Sequence, residues 1–193
     1  MDKNWVKVIF LGNTGVGKTS IIHSRCFDSF SSMIEPTINT SNYRTNVKIM
    51  DSEIELRLWD TAGQEQYSSL VPLYCRDVKV CVLVGEITSK ISIESLIKWQ
   101  QTVINAGESP SFIIAINKID LANEYKMTPE EITDYLKKHF GKCSVILVSA
   151  LTGEGIDSLF YVIAREGIKT LSGSPMDYHS TNIDVAQNKQ CKC

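Results

Sequence analysis

Two glycines, a lysine and a threonine stand at phosphate-binding spacing in Gly12-Asn13-Thr14-Gly15-Val16-Gly17-Lys18-Thr19, which matches G-x-x-x-x-G-K-[ST]. Gly12 and Gly17 admit backbone angles closed to other residues, so that successive N–H groups can face one anion. Lys18 can then reach terminal phosphates, and the Thr19 hydroxyl can ligate Mg2+. The cradle so read comprises Asn13, Thr14, Gly15, Val16, Gly17, Lys18, Thr19 and Ser20. Further along, Asp60-Thr61-Ala62-Gly63 offers a carboxylate that can hold Mg2+ through water and, in Gly63, an N–H for a third phosphate. A hydroxyl at Thr37 could join the metal shell only while that phosphate is present.

Asn117-Lys118-Ile119-Asp120 supplies a different chemistry. Guanine presents two N–H donors on one edge, and the ionised carboxylate of Asp120 can accept both, which adenine cannot match. Asn117 can bridge the base and the phosphate loop. The stem of Lys118 can cover one ring face, with Phe30 at the edge or the other face. In Ser149-Ala150-Leu151 the Ala150 N–H is a donor for the guanine carbonyl. Each piece alone has a plainer reading: a glycine turn with a surface lysine, a strand-end turn, an ordinary loop threonine. The combination carries the assignment.

The elements that must position these residues follow from apolar periodicity. Residues 5–11 read as a buried strand and 20–26 as a helix, the strand–turn–helix context that the glycine loop requires. The mixed polarity of 27–39 reads as a loop. Strands at 43–50 and 54–59 form a hairpin around Asp51-Ser52-Glu53. A short helix is expected over 68–75, a core strand over 79–86, and a helix from near Ser92 whose apolar side carries Ile93, Leu96, Ile97, Val103 and Ile104. A strand at 111–116 follows. Thr128, Pro129 and Glu131 then announce a helix by a capping box. The last strand is 144–148, and Ile156, Leu159, Phe160 and Ile163 line the final helix. Strands alternating with helices imply an α/β domain of the P-loop NTPase type: three layers, six mostly parallel strands with one antiparallel, and about five helices. In such sheets ligands sit beyond the carboxyl ends of the strands, where the motifs fall.

One domain over 1–171 and a polar, flexible tail over 172–193 account for the 193 residues. A net charge of −2 lacks the basic footprint of a nucleic-acid-binding protein. No stretch reads as a signal peptide or a membrane span. Cys26, Cys75, Cys81 and Cys143 show no metal-ligand spacing and read as buried, reduced thiols. Cys191 and Cys193 lie in the polar tail, where packing does not account for them.

Together the motifs resemble the small GTPases of the Ras superfamily over residues 5–171. Within it, Trp59-Asp60-Thr61-Ala62-Gly63-Gln64-Glu65 and the ending Cys191-Lys192-Cys193 resemble the Rab family, with the run from Gln66 to Tyr74 similar in wording to early-endosomal Rabs. The resemblance implies a switch that binds GTP and GDP with Mg2+ held by Thr19, Thr37 and Asp60. Gln64 would orient the attacking water beside Lys18, and turnover would be slow without an activating protein. It implies an exchange factor, an activating protein, a GDP-dissociation inhibitor or escort protein, and effectors as partners of a monomer that binds no nucleic acid. Prenyl groups on Cys191 and Cys193 would hold it at the cytoplasmic face of an intracellular membrane, endosomal by analogy, with a cytosolic pool. A GTP-binding interaction module with little hydrolysis is the alternative. The chain departs from the Rab pattern after Thr37, where Ile38-Asn39-Thr40-Ser41-Asn42 replaces the usual Ile-Gly-Val-Asp-Phe. It departs again at Gly85-Glu86, where Tyr-Asp is common, and at Leu151, where lysine is usual.

Overall fold

A computed structural model describes residues 5–27, 40–50, 52–61, 71–141 and 143–172. Phe30, Thr37, Gly63, Gln64, Cys191 and Cys193 lie outside the described residues, as does nearly all of the expected tail.

The first strand, β1 (Trp5–Leu11), is apolar at every position but Lys7, and both of its faces are buried from Val8 onward. It sits inside a six-stranded sheet with β2 (Ser41–Ile49), β3 (Ser52–Asp60), β4 (Val80–Glu86), β5 (Ser111–Asn117) and β6 (Ser144–Leu147), in the order β2-β3-β1-β4-β5-β6. Only the β2–β3 pair is antiparallel. The order reverses on the two sides of β1, so the crevice above its carboxyl end is where a ligand is expected in an open α/β sheet.

Alternation along the strands makes two cores. Val6, Val8 and Phe10 face one side, where α1 (Lys18–Phe27) contributes Ile21 and Ile22 and α6 (Ile156–Ser172) contributes Leu159, Phe160 and Ile163. Ile9 and Leu11 face the other, with α2 (Val71–Cys75), α3 (Lys90–Glu94), α4 (Leu96–Asn105) and α5 (Pro129–Phe140). Because α3 and α4 abut across Ser95, they form one broken helix, and the described helices make five layer elements. The expected α/β class and sheet are therefore observed. So is the α5 capping box: Thr128 Oγ1 accepts from the Glu131 N–H at 3.2 Å, and Glu131 Oε2 accepts from the Thr128 N–H at 2.8 Å.

Some details differ from the sequence reading. Ser52 and Glu53, expected in the hairpin turn, belong to β3 instead, since Ile49 pairs with Ser52, and Met50 takes a φ of 52°. The broken helix begins earlier than Ser92, at Lys90, because the Ser89 side chain caps it by accepting from the Ser92 N–H. Ile104 is not a core residue: it is 46% exposed, and Trp99, not expected in the stripe, is buried with Leu96 and Val103. Within α4 the buried stripe is Leu96, Trp99 and Val103, at i, i+3 and i+7, and Ile104 falls on its flank. Of the four scattered cysteines, Cys75 and Cys81 are buried, whereas Cys26 and Cys143 are only part-buried at the edges of their packing clusters. Burial pushes the Cys75 thiol up to about 11.

Candidate functional site

The crevice begins where β1 ends. Gly12 has φ 152°, and a methyl there would run into the Val84 carbonyl of β4. Gly17 has φ 93°, and a methyl there would collide with the Asn117 amide. Both are thus required by close approach as well as by backbone angle. Thr14 and Gly15 form the exposed tip, while Val16 and Lys18 turn inward.

Lys18 is the dominant charge of the loop. Its Nζ donates to the carbonyls of Gly12 at 2.9 Å and Asn13 at 3.0 Å. Burial lowers its pKa to about 8, and the nearby Asp60 carboxylate only partly opposes this. An ammonium so desolvated gains strongly from an arriving phosphate. At the start of α1, the Thr19 hydroxyl donates to Asp60 Oδ2 at 2.6 Å. Asp60 ends β3 and is wholly buried, and the parallel pairing of Phe10 with Asp60 brings it beside the loop. Thr61 Oγ1 locks that strand end by donating to the Phe10 carbonyl at 2.7 Å. A hydroxyl and a carboxylate at one point are hard oxygen donors that suit Mg2+.

The second half of the crevice comes from the ends of β5 and β6. Asn117 is 2% exposed. Its Nδ2 donates to the Val16 carbonyl at 2.9 Å, and its Oδ1 accepts the Ala150 N–H at 3.1 Å. The expected link from Asn117 to the phosphate loop is present. The Ala150 N–H, expected to face a base, is here directed to Asn117. Asp120 Oδ1 accepts a hydrogen bond from Ser149 Oγ, which also accepts the Thr152 N–H at 3.1 Å. Lys118 has φ 67° and is ion-paired with Glu86, at the end of β4. Leu151 is 54% exposed on the rim.

The fold therefore gathers Asn13 to Ser20, Asp60, Asn117, Lys118, Asp120, Ser149, Ala150 and Leu151 at one end of the sheet. The sequence reading missed three contributors. Glu86 fixes the Lys118 side chain, and its signal was a lone carboxylate closing an apolar strand. Ser95 and Trp99 hold the Asn13 side chain, and no motif marked them.

The sequence model of the Ras family matches residues 7–169. The chain is 32% identical over 203 residues to the Ypt/Rab-type GTPase YPT7 of Saccharomyces cerevisiae, covering 99% of this chain and 98% of the yeast protein. It is also 32% identical over 161 residues to the Ras-related proteins RABF2b and RABF2a of Arabidopsis thaliana, covering 82% of this chain and 79% of each relative.

Proposed function

Because the chain belongs to the Ras family, as a divergent Rab-type small GTPase, we propose that its crevice binds GTP and GDP, hydrolyses GTP to GDP and phosphate, and works as a membrane-attached switch in vesicular traffic. The observation that carries this reading is Asn117. One buried amide ties the phosphate loop to the Ser149–Ala150 turn beside Asp120, so phosphates and base are read by one connected unit.

The chemistry is mostly positioning and charge neutralisation. Lys18 and the loop N–H groups meet the charge that spreads over the phosphates. Asp120 accepts the two guanine donors, and the Lys118 stem covers a ring face. Thr19 and Asp60, with Thr37, are the residues that would hold Mg2+, which adds positive charge at the phosphates. Gln64 orients the attacking water. Thr37 and Gly63 touch the third phosphate, so its loss releases both segments and changes what partners see. Those partners are an exchange factor, an activating protein, a GDP-dissociation inhibitor or escort protein, and effectors.

Among the described residues no helix is long and apolar enough to cross a membrane. Attachment is assigned instead to two prenyl groups on Cys191 and Cys193, since one lipid chain binds only marginally and two anchor stably. The site of action in this reading is the cytoplasmic face of an intracellular membrane of the endosomal type.

Competition for a fluorescent GDP tests the binding step: GDP and GTP displace it and ATP does not, and equal displacement by ATP would overturn the guanine reading. Single-turnover hydrolysis tests the switch. Gln64→Leu should retain GTP, and unchanged hydrolysis in that variant would remove Gln64 from the mechanism. Intact-mass measurement on protein from its native cell should show two prenyl groups, and their absence would reject the anchor.

A further inference from the structure

The side chain of Asn13 does not turn toward the crevice. Its Oδ1 accepts the Trp99 indole N–H at 2.9 Å and lies 3.0 Å from Ser95 Oγ. These two donors come from the break and the first turn of α4, far from the loop in sequence. Their roles differ. The Ser95 hydroxyl has one proton and a second acceptor, the Ser92 carbonyl at 2.8 Å. The indole N–H can only donate, and Trp99 is 5% exposed. It belongs to the buried cluster that also holds Val71 and Cys75 of α2 and Leu96 and Val103 of α4.

The backbone of Asn13 faces the other way. Its carbonyl accepts from Lys18 Nζ at 3.0 Å. One residue thus joins a buried indole on its side chain to the phosphate-seeking ammonium on its main chain. We propose that Trp99, assisted by Ser95, is a positioning residue for the phosphate loop: acting through Asn13, it holds the Lys18-binding carbonyl in place and so sets how long nucleotide stays bound. The inference rests on the reading of the crevice as a guanine-nucleotide site. It also gives the α2–α4 layer a direct mechanical connection to Lys18, so a partner that shifts this layer has a route to nucleotide release.

Release of a fluorescent GDP, chased with excess GDP, tests this on the full chain. Trp99→Phe and Asn13→Ala should each speed release about three- to tenfold, the range set by one lost hydrogen bond. The double variant should release no faster than the faster single, because both remove the same bond. Ser95→Ala should have a smaller effect than either. To separate the N–H from the ring's packing, Trp99 is replaced by 3-benzothienylalanine, which keeps the shape and lacks the donor. That protein should melt with the parent yet release GDP as fast as Trp99→Phe. Parent-like release in the benzothienyl or Asn13→Ala protein, or a double variant whose acceleration equals the product of the singles, would overturn the proposal. Failure of the parent itself to bind the fluorescent GDP would instead sink the nucleotide reading on which the proposal stands.

Discussion

The two ends of the crevice are built in opposite ways. The phosphate end is contiguous: Gly12 to Thr19 supply its backbone donors and its lysine, and Lys18 bonds to carbonyls of its own loop. From elsewhere come Asp60, the Asn117 bond to the Val16 carbonyl, and the bonds of Ser95 and Trp99 to Asn13. The base end is assembled across loops. Ser149 bonds Asp120, Ala150 bonds Asn117, and Glu86 pairs with Lys118. Its existence depends on β6, a short edge strand that is half-buried throughout. A phosphate is a compact charge that backbone N–H groups can meet from one local turn. A purine is a flat, directional object whose edges must be approached from separate directions. The comparison teaches that charge can be bound locally, whereas base identity needs tertiary convergence.

Substitutions can break the two ends together or separately. The largest effect belongs to Asn117→Ala, which strands the Val16 carbonyl and the Ala150 N–H in a buried place. Each unsatisfied group costs about 1–3 kcal/mol, so thermal unfolding should show a loss of about 2–6 kcal/mol along with weakened GDP binding. A melting curve equal to the parent's would show that the ends are not joined there.

Lys18→Ala should act on the phosphate end alone. Removing a charge that meets buried phosphates costs about 100-fold in affinity, read by calorimetry with GDP. The remaining binding should still prefer guanine over adenine. Loss of that preference would show that the ends are not separable.

Asp120→Asn should act on the base end alone. An amide offers one acceptor and one donor group where the carboxylate offers two acceptors, so GDP should weaken about 10- to 100-fold while xanthosine diphosphate improves. The amide oxygen can still accept from Ser149, so the fold should persist. Undiminished GDP affinity would remove Asp120 from base recognition.

The smallest effect is on pH. Burial is the main cause that depresses the pKa of Lys18, to about 8. Bound phosphates favour the ammonium and raise that value. Affinity is therefore complete below pH 8 and falls as pH rises through it, by about tenfold between pH 7 and 9. Calorimetry in buffers of different ionisation enthalpy should show proton uptake on binding at pH 9. The slope should vanish in Lys18→Ala, and a slope that survives there belongs to another group.

Several parts of this molecule were legible before any fold was seen. The glycine loop, the strand-end carboxylate and Asn117 to Asp120 could be found because their chemistry demands particular residue types at short spacing. The central strands were visible for a similar reason: a strand buried on both faces must be a nearly unbroken apolar run, as in β1 and β4. The α5 cap was legible because capping is a local exchange of hydrogen bonds. Periodicity failed at the edge of the apolar stripe of α4. Ile104 was read into the apolar stripe, but the buried face of α4 is centred on Leu96, Trp99 and Val103, which leaves Ile104 on the flank, 46% exposed.

Sequence by itself determined the residues able to meet phosphate, metal and guanine, because each is a matter of functional group and neighbour. Tertiary structure alone decided which of those groups face one another. It set Thr19 against Asp60 through the pairing of β1 with β3, and Asn117 between Val16 and Ala150 through the order of β1, β4, β5 and β6. It also recruited Glu86 and Trp99, which no motif contains. The physical reason is range. A turn or a cap is settled within a few residues, but a hydrogen bond between residues 86 positions apart, as from Trp99 to Asn13, exists only once two layers have packed.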